Sequence, residues 1–284
     1  MTRSKKQPKS LAAGRTPIVK QHKARFSAKK GRTIIRSHHQ LSKSLADAEK
    51  AGNAELALRL RRDIARNGGL ETYQQASLLG QSSDRGGDSS KVLVNWLKAL
   101  TKHQQQPLKV LEVGALSLTN ACSCWELMEV TRIDLNSQTP GIEQQDFMQR
   151  PLPSCAEDKF DVISLSLVLN FVPSKEGRGQ MLRRTCEFLH SRISPLAADN
   201  DGESFAPCLF LVLPAPCVEN SRYMDEERLQ QIMESLGYVR TARKLSPRLI
   251  YSLWNYVPGT AQPKTFGKVE VNPGVSRNNF CIVL

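Results

Sequence analysis

The chain has 284 residues, 40% of them apolar, and a formal net charge of +13. No apolar run reaches the roughly 18 residues that a membrane span needs, and the N-terminus lacks the apolar core of a secretory signal. Residues 1–50 hold 14 of the 40 Lys and Arg against two acids, Asp47 and Glu49, so the basic character belongs to the N-terminal segment and the body is near neutral.

Residues 1–36, rich in Lys and Arg with Pro8 and Pro17, read as a disordered arm. Such an arm is a footprint for polyanions, nucleic acid above all. It shows no sustained apolar face of the kind a membrane surface requires. Leu41, Leu45, Ala48, Leu56, Leu60 and Ile64 recur at helical spacing. Ala51-Gly52-Asn53 splits that stretch in two and Asn67-Gly68-Gly69 stops it. A short helix follows at Glu71–Leu79. The polar, glycine-rich loop 80–91 then opens a helix near Ser89 or Ser90, with Val92, Leu93, Trp96, Leu97 and Leu100 as its apolar stripe. This loop reads either as a capped linker or as a segment that closes over a ligand, with Arg85 meeting a carboxylate.

From Leu108 strands and helices alternate. Strands are predicted at Leu108–Val113, Val130–Leu135, Ile142–Gln145, Phe160–Leu167 and Leu209–Leu213. The continuous apolar run at 160–167 suits a parallel sheet buried on both faces. Helices are predicted at Glu176–His190 and Asp225–Leu236, and a closing antiparallel hairpin at Tyr238–Leu245 and Leu249–Trp254. The alternation fits one doubly wound α/β sheet. The tail from Pro258 is rich in Gly, Pro and Asn. Seven scattered cysteines include no C-x-x-C, and Cys122 and Cys124 lack partners for a zinc set. They read as reduced thiols, and no metal site is expected.

In a parallel sheet the strand ends of one sense meet at one edge, where ligands bind. Glu112, Asp134, Asp146 and Asn170 all fall at predicted strand ends. Gly114 follows the first, and Gly114 and Asp134 lie twenty positions apart. A dinucleotide site would want G-x-G-x-x-G; one glycine flanked by acids points instead to S-adenosylmethionine (SAM). Gly114 would lie under the methionine part, Asp134 would hold the ribose, and Asp146 would face the adenine amino group with Phe147 against the ring. Glu112, Ser164 and Ser166 would lie close by.

The runs Val110–Ser117, Ile133-Asp134-Leu135, Asp146-Phe147 and Phe160–Pro173 resemble the Rossmann-like class I SAM-dependent methyltransferases. More narrowly, L-S-L-V-L-N-F-V-P, the loop 80–91 and Arg32-Thr33-Ile34-Ile35-Arg36 are similar to the fungal 25S ribosomal RNA adenine-N(1) methyltransferases. The similarity covers roughly residues 30–255 and departs from the broad class in carrying Leu116 and Leu118 where further glycines are usual. It implies a mostly parallel sheet with a C-terminal antiparallel hairpin, preceded by a helical, basic extension. It implies SAM as cofactor, large-subunit ribosomal RNA as partner, and a nuclear, nucleolar location. Asn170 would bond the edge of the target base and Phe171 stack on it. The expected divisions are 1–36, a basic arm; 37–104, a helical extension; 105–258, the SAM-binding domain; and 259–284, a tail. Two other readings stay open: a SAM-binding sensor without catalysis, and a methyltransferase for a protein or small molecule.

Overall fold

The computed structural model describes residues 27–80, 87–101, 106–137, 139–191 and 205–284. Residues 1–26 and Arg85 lie outside them.

Three helices open the described chain: α1 (Ala28–Lys50), α2 (Ala54–Arg66) and α3 (Gly69–Gly80). Gly52, at φ +68°, makes the break between the first two, and Asn53 caps the second by accepting from the Leu56 amide at 3.0 Å. Ala48, Ala57 and Leu60 form a small core there, with Leu41 and Leu45 packed against it. The helix begins at Ala28, earlier than the arm expected over 1–36. Ser27 caps it by accepting from the Lys30 amide at 3.2 Å. Lys and Arg are good helix formers, so high charge did not preclude a helix that also carries Ile34 and Ile35.

The seven-stranded sheet has the order β3-β2-β1-β4-β5-β7-β6. Its strands are β1 (Leu108–Val113), β2 (Met128–Asp134), β3 (Glu143–Gln144), β4 (Val162–Ser166), β5 (Cys208–Pro214), β6 (Tyr238–Leu245) and β7 (Leu249–Tyr256). Strands β1 to β5 pair in parallel, and β7 runs antiparallel to both β5 and β6. This is the mostly parallel Rossmann-like sheet with a terminal hairpin.

Side chains alternate across each strand. On β5, Cys208, Phe210 and Val212 face one core while Leu209, Leu211 and Leu213 face the other. The helix α4 (Ser90–Leu100) covers the first face with Leu93, Val94 and Leu97. The helices α5 (Lys175–Phe188) and α7 (Glu226–Ser235) cover the second with Met181, Leu182, Leu229 and Ile232. A four-residue turn of helix, α6 (Pro216–Glu219), leads into α7.

Residues 259–284 are not a loose tail. Phe266, Phe280 and Ile282 join the main core. Phe266 and Leu284 exchange backbone hydrogen bonds of 2.9 and 3.1 Å, and the Val283 amide donates to the Lys175 carbonyl at 3.0 Å. Arg178 of α5 donates to the Cys281 carbonyl at 2.7 Å and lies over the Phe280 ring at 4.6 Å. Its neighbour Gly179 is small because a Cβ there would fall 1.9 Å from the Val283 carbonyl oxygen. A Gly-, Pro- and Asn-rich segment is thus anchored by a few apolar side chains, which composition alone conceals.

Candidate active site

The carboxyl edge of the sheet opens into a cavity of about 950 Å³. Its walls come from the ends of β1, β2, β3 and β4, the turn between β6 and β7, and two residues of the helical layer, Ile35 and Tyr73. The strand-end rule accounts for most of this. Strands β2 and β4 flank β1 in register, so Gly114 is bracketed by their tips.

Gly114 has φ +74°, a backbone state that glycine adopts without a Cβ penalty. A Cβ there would meet Val168 Cγ2 at 2.7 Å. Its amide donates to the Ile133 carbonyl at 2.8 Å, which ties the turn to the tip of β2. Asp134 and Asp146 both line the cavity. Each turns its own chain: Asp134 Oδ1 accepts from the Asn136 amide at 2.9 Å, and Asp146 Oδ1 from the Met148 amide at 2.8 Å. Among the described residues no donor reaches the second oxygen of either. Burial holds the Asp134 carboxyl above its ordinary value, and the Asn136 amide partly offsets this.

Ser166 also lines the cavity, its Oγ 2.7 Å from Ser89 Oγ. That contact is set by Asp88. Asp88 Oδ1 accepts from the Ser90 amide at 2.9 Å, and Oδ2 from the Ala121 amide at 2.6 Å. The end of the glycine-rich loop is thereby stapled to the β1–β2 connection. Of the Ser and Asp residues that could cap this helix, Asp88 does so, and Ser89 makes no side-chain cap bond.

Four expected residues sit differently. Ser164 is 4% exposed and pairs in register with Glu112 and Phe210 inside the sheet. It shares the face of Ser166 but lies two residues deeper, so it is not at the cavity. Glu112 lies one residue short of the last residue of β1 and does not line the cavity. Its Oε1 accepts from Asn120 Nδ2 at 2.6 Å, while Oε2 is buried without a partner. Burial raises this carboxyl to about 7 against the pull of Arg132. Phe147 reaches the wall but is 2% exposed, its ring packed on Phe188 at 5.3 Å. It supports the floor more than it offers a face.

Asn170 and Phe171 share a turn of 3-10 helix, Leu169–Phe171, and part company there. Phe171 lines the cavity. Asn170 stands beside it, its Oδ1 buried without a hydrogen bond. Preceding them, Leu167 takes φ +59°, a strained state for a non-glycine residue. It lines the cavity as well.

The sequence reading missed Ile35, Tyr73 and the turn Ser246–Leu249. Tyr73 meets Phe171 edge-on at 6.2 Å and 87°, and His38 stacks on Tyr73 at 4.6 Å and 18°. Burial lowers the His38 pKa, favouring a neutral ring. Being the one aromatic ring of the helix Gly69–Gly80 was the available signal at Tyr73.

Comparison with known proteins places residues 58–282 in one family, described as 25S rRNA (adenine(2142)-N(1))-methyltransferase, Bmt2. The chain belongs to this family. The 25S rRNA adenine-N(1) methyltransferase of Schizosaccharomyces pombe is 38% identical over 265 residues, covering 89% of this chain and 91% of that protein. The 25S rRNA (adenine(2142)-N(1))-methyltransferase of Saccharomyces cerevisiae is 41% identical over 223 residues, 78% of this chain. The match spans 61% of that protein's length. Among solved structures, an O-methyltransferase from neocarzinostatin biosynthesis aligns with a TM-score of 0.49 at 13% identity, over 82% of this chain and 74% of that one.

The residues present suit a SAM-sized nucleoside. The Gly114 turn offers bare backbone where any side chain would collide with Val168. At the neighbouring strand tip, Asp134 keeps one carboxylate oxygen without a donor among the described residues.

Proposed function

We infer that the chain is a SAM-dependent methyltransferase acting on N1 of an adenine in large-subunit (25S) ribosomal RNA. The observation that carries this reading is the convergence of Gly114, Asp134 and Asp146 on one cavity, in a member of this family.

SAM supplies a methyl group on a positively charged sulfonium. Adenine N1 already carries an in-plane lone pair, so the chain need not provide a strong base. Its task is positioning, which alone can contribute a large share of a rate enhancement. Gly114 lets the backbone approach the methionine part. Asp134 accepts from the ribose, and Asp146 faces the adenine of the cofactor. Phe171 lies against the target base, which must be unpaired or flipped out to enter. Asn170 lies beside Phe171 without lining the cavity, so no contact with the base is assigned to it. The apolar walls exclude water from the sulfonium.

Residues 1–36 hold 12 Lys and Arg and no acid, which supplies salt-dependent contacts to RNA phosphates. They also suit a nucleolar address, the compartment where large-subunit RNA is made.

The test is transfer of labelled methyl from SAM to total RNA that lacks the modification, followed by nucleoside analysis. N1-methyladenine appearing in the large ribosomal RNA is expected. Tight SAM binding with no transfer to any RNA would instead support a sensor.

A further inference from the structure

We propose that the corner formed by Tyr73 of α3 and Phe171 is the seat of the target base, with Tyr73 a base-contacting residue supplied by the N-terminal helical layer. This rests on the methyltransferase reading above and extends it to a part of the chain outside the sheet domain.

The first observation is how the cavity divides. Asp134, Gln145 and Asp146 lie at one end, over β2 and β3, and Gly114 follows at β1. Pro247, Leu249 and Tyr251 lie at the other end, over β7. The sheet order puts four inter-strand steps between β2 and β7, roughly 19 Å at the usual strand spacing. A nucleoside held by Gly114, Asp134 and Asp146 fills the β3-to-β1 half. The half from β4 to β7 is left for the second reactant. The β1–β4 boundary is where a methyl group would be handed over.

The second observation is the chemistry of that second half. Tyr73 and Phe171, which meet each other, stand there with Pro173, Pro247 and Leu249, beside the polar Ser246 and Arg248 of the β6–β7 turn; the apolar members suit the faces of a flat ring and the polar ones its edge. Tyr73 and Phe171 stand at 87° with centroids 6.2 Å apart. Two rings at a right angle make a corner: a planar base lies flat on one and presents its edge to the other, both favoured arrangements for aromatic groups. His38 stacks on Tyr73 at 4.6 Å and 18° and so fixes its plane. An RNA-modifying enzyme would gain from drawing this wall from the helical layer. The same layer carries the exposed cations Lys29, Lys30, Arg36 and Lys43, a charge that suits RNA phosphates.

The experiment compares Y73F and Y73L with the wild type in the full chain. SAM affinity is measured by calorimetry, and kcat and KM by methyl transfer to RNA lacking the modification. Y73L keeps apolar bulk without an aromatic face; it should lose roughly five- to a hundredfold in kcat/KM for RNA, the usual worth of a stacked base. Its SAM dissociation constant should stay within twofold of the wild type. Y73F keeps the ring and should recover most of the loss. A parallel fall in SAM affinity would assign Tyr73 to the cofactor and overturn the proposal. So would a Y73L enzyme as active on RNA as the wild type. A wild-type protein that transfers no methyl to any RNA would instead defeat the underlying reading, whatever the variants do.

Discussion

A methyl group added to Gly114 would lie 2.7 Å from Cγ2 of Val168, closer than carbon atoms approach in folded proteins. These two residues come from neighbouring strand ends, and their contact sets how near a ligand can come to the backbone between β1 and β4. Gly114→Ala should therefore cost about 1–3 kcal/mol in strain at φ +74°, and more through the collision. Calorimetry should show SAM affinity reduced at least tenfold. The double variant G114A/V168A removes the collision and leaves the strain, so it should recover only part of that loss. Full recovery would mean that the backbone angle is irrelevant.

Asp134→Ala removes the acceptor assigned to the ribose. Hydrogen bonds to a charged group are worth about 1.5–3 kcal/mol, so the SAM dissociation constant should rise roughly ten- to a hundredfold. Asp134 Oδ1 also holds the Asn136 amide, and a melting curve separates a loosened turn from a missing bond to the ligand. An unchanged dissociation constant would remove Asp134 from the site.

Glu112 ties stability to pH. Its carboxyl is raised from 4.5 to about 7, chiefly by burial, with Arg132 and Asn120 opposing and Asp88 adding to the rise. The folded state therefore holds this proton over a range in which the unfolded chain has released it. Stability is unaffected below about pH 4.5 and is lost as pH rises through 7, by on the order of 3 kcal/mol. Glu112→Gln keeps an acceptor for Asn120 and cannot ionise. It should raise the melting temperature at pH 8 and leave it nearly unchanged at pH 5. An equal change at both values would show that ionisation plays no part.

The last residues of the chain are packed as core. Gly179→Ala would drive a Cβ into the Val283 carbonyl, and backbone has little room to yield. A loss of about 1–3 kcal/mol is expected, read as a lower melting temperature. Shortening the chain before Phe280 should remove much of that difference, since the obstructing carbonyl is gone.

Deleting residues 1–26 leaves α1 and its cap intact and takes away eight Lys and Arg. RNA affinity should fall, and the slope of log K against log salt should flatten by about 0.7 for each phosphate no longer neutralised. SAM affinity should be unchanged; a collapse would mean that the segment belongs to the cofactor site.

The sheet was legible because buried parallel strands are continuous apolar runs, and Gly114, Asp134, Asp146 and Ser166 followed from the strand-end rule. The same rule misjudged depth. Ser164 has the right face and Glu112 the right strand, but each stops short of the rim, and linear sequence does not say where a rim begins. Asn170 and Phe171 are adjacent, yet one turn of 3-10 helix sends only Phe171 to the cavity. Ile35, though part of the run Arg32–Arg36, and Tyr73 were not read as cavity residues for a different reason. Their role arises from tertiary packing of helices onto the sheet edge, which no local pattern encodes.

The cavity walls run from Ile35 to Tyr251 in sequence. A fragment that lacks either the helical layer or the β6–β7 turn then lacks part of the pocket, and ligand occupancy must stabilise these distant segments together by mass action. Amide protons in α3 and in the β6–β7 turn, far apart in sequence, should slow their exchange with solvent in step as the pocket fills.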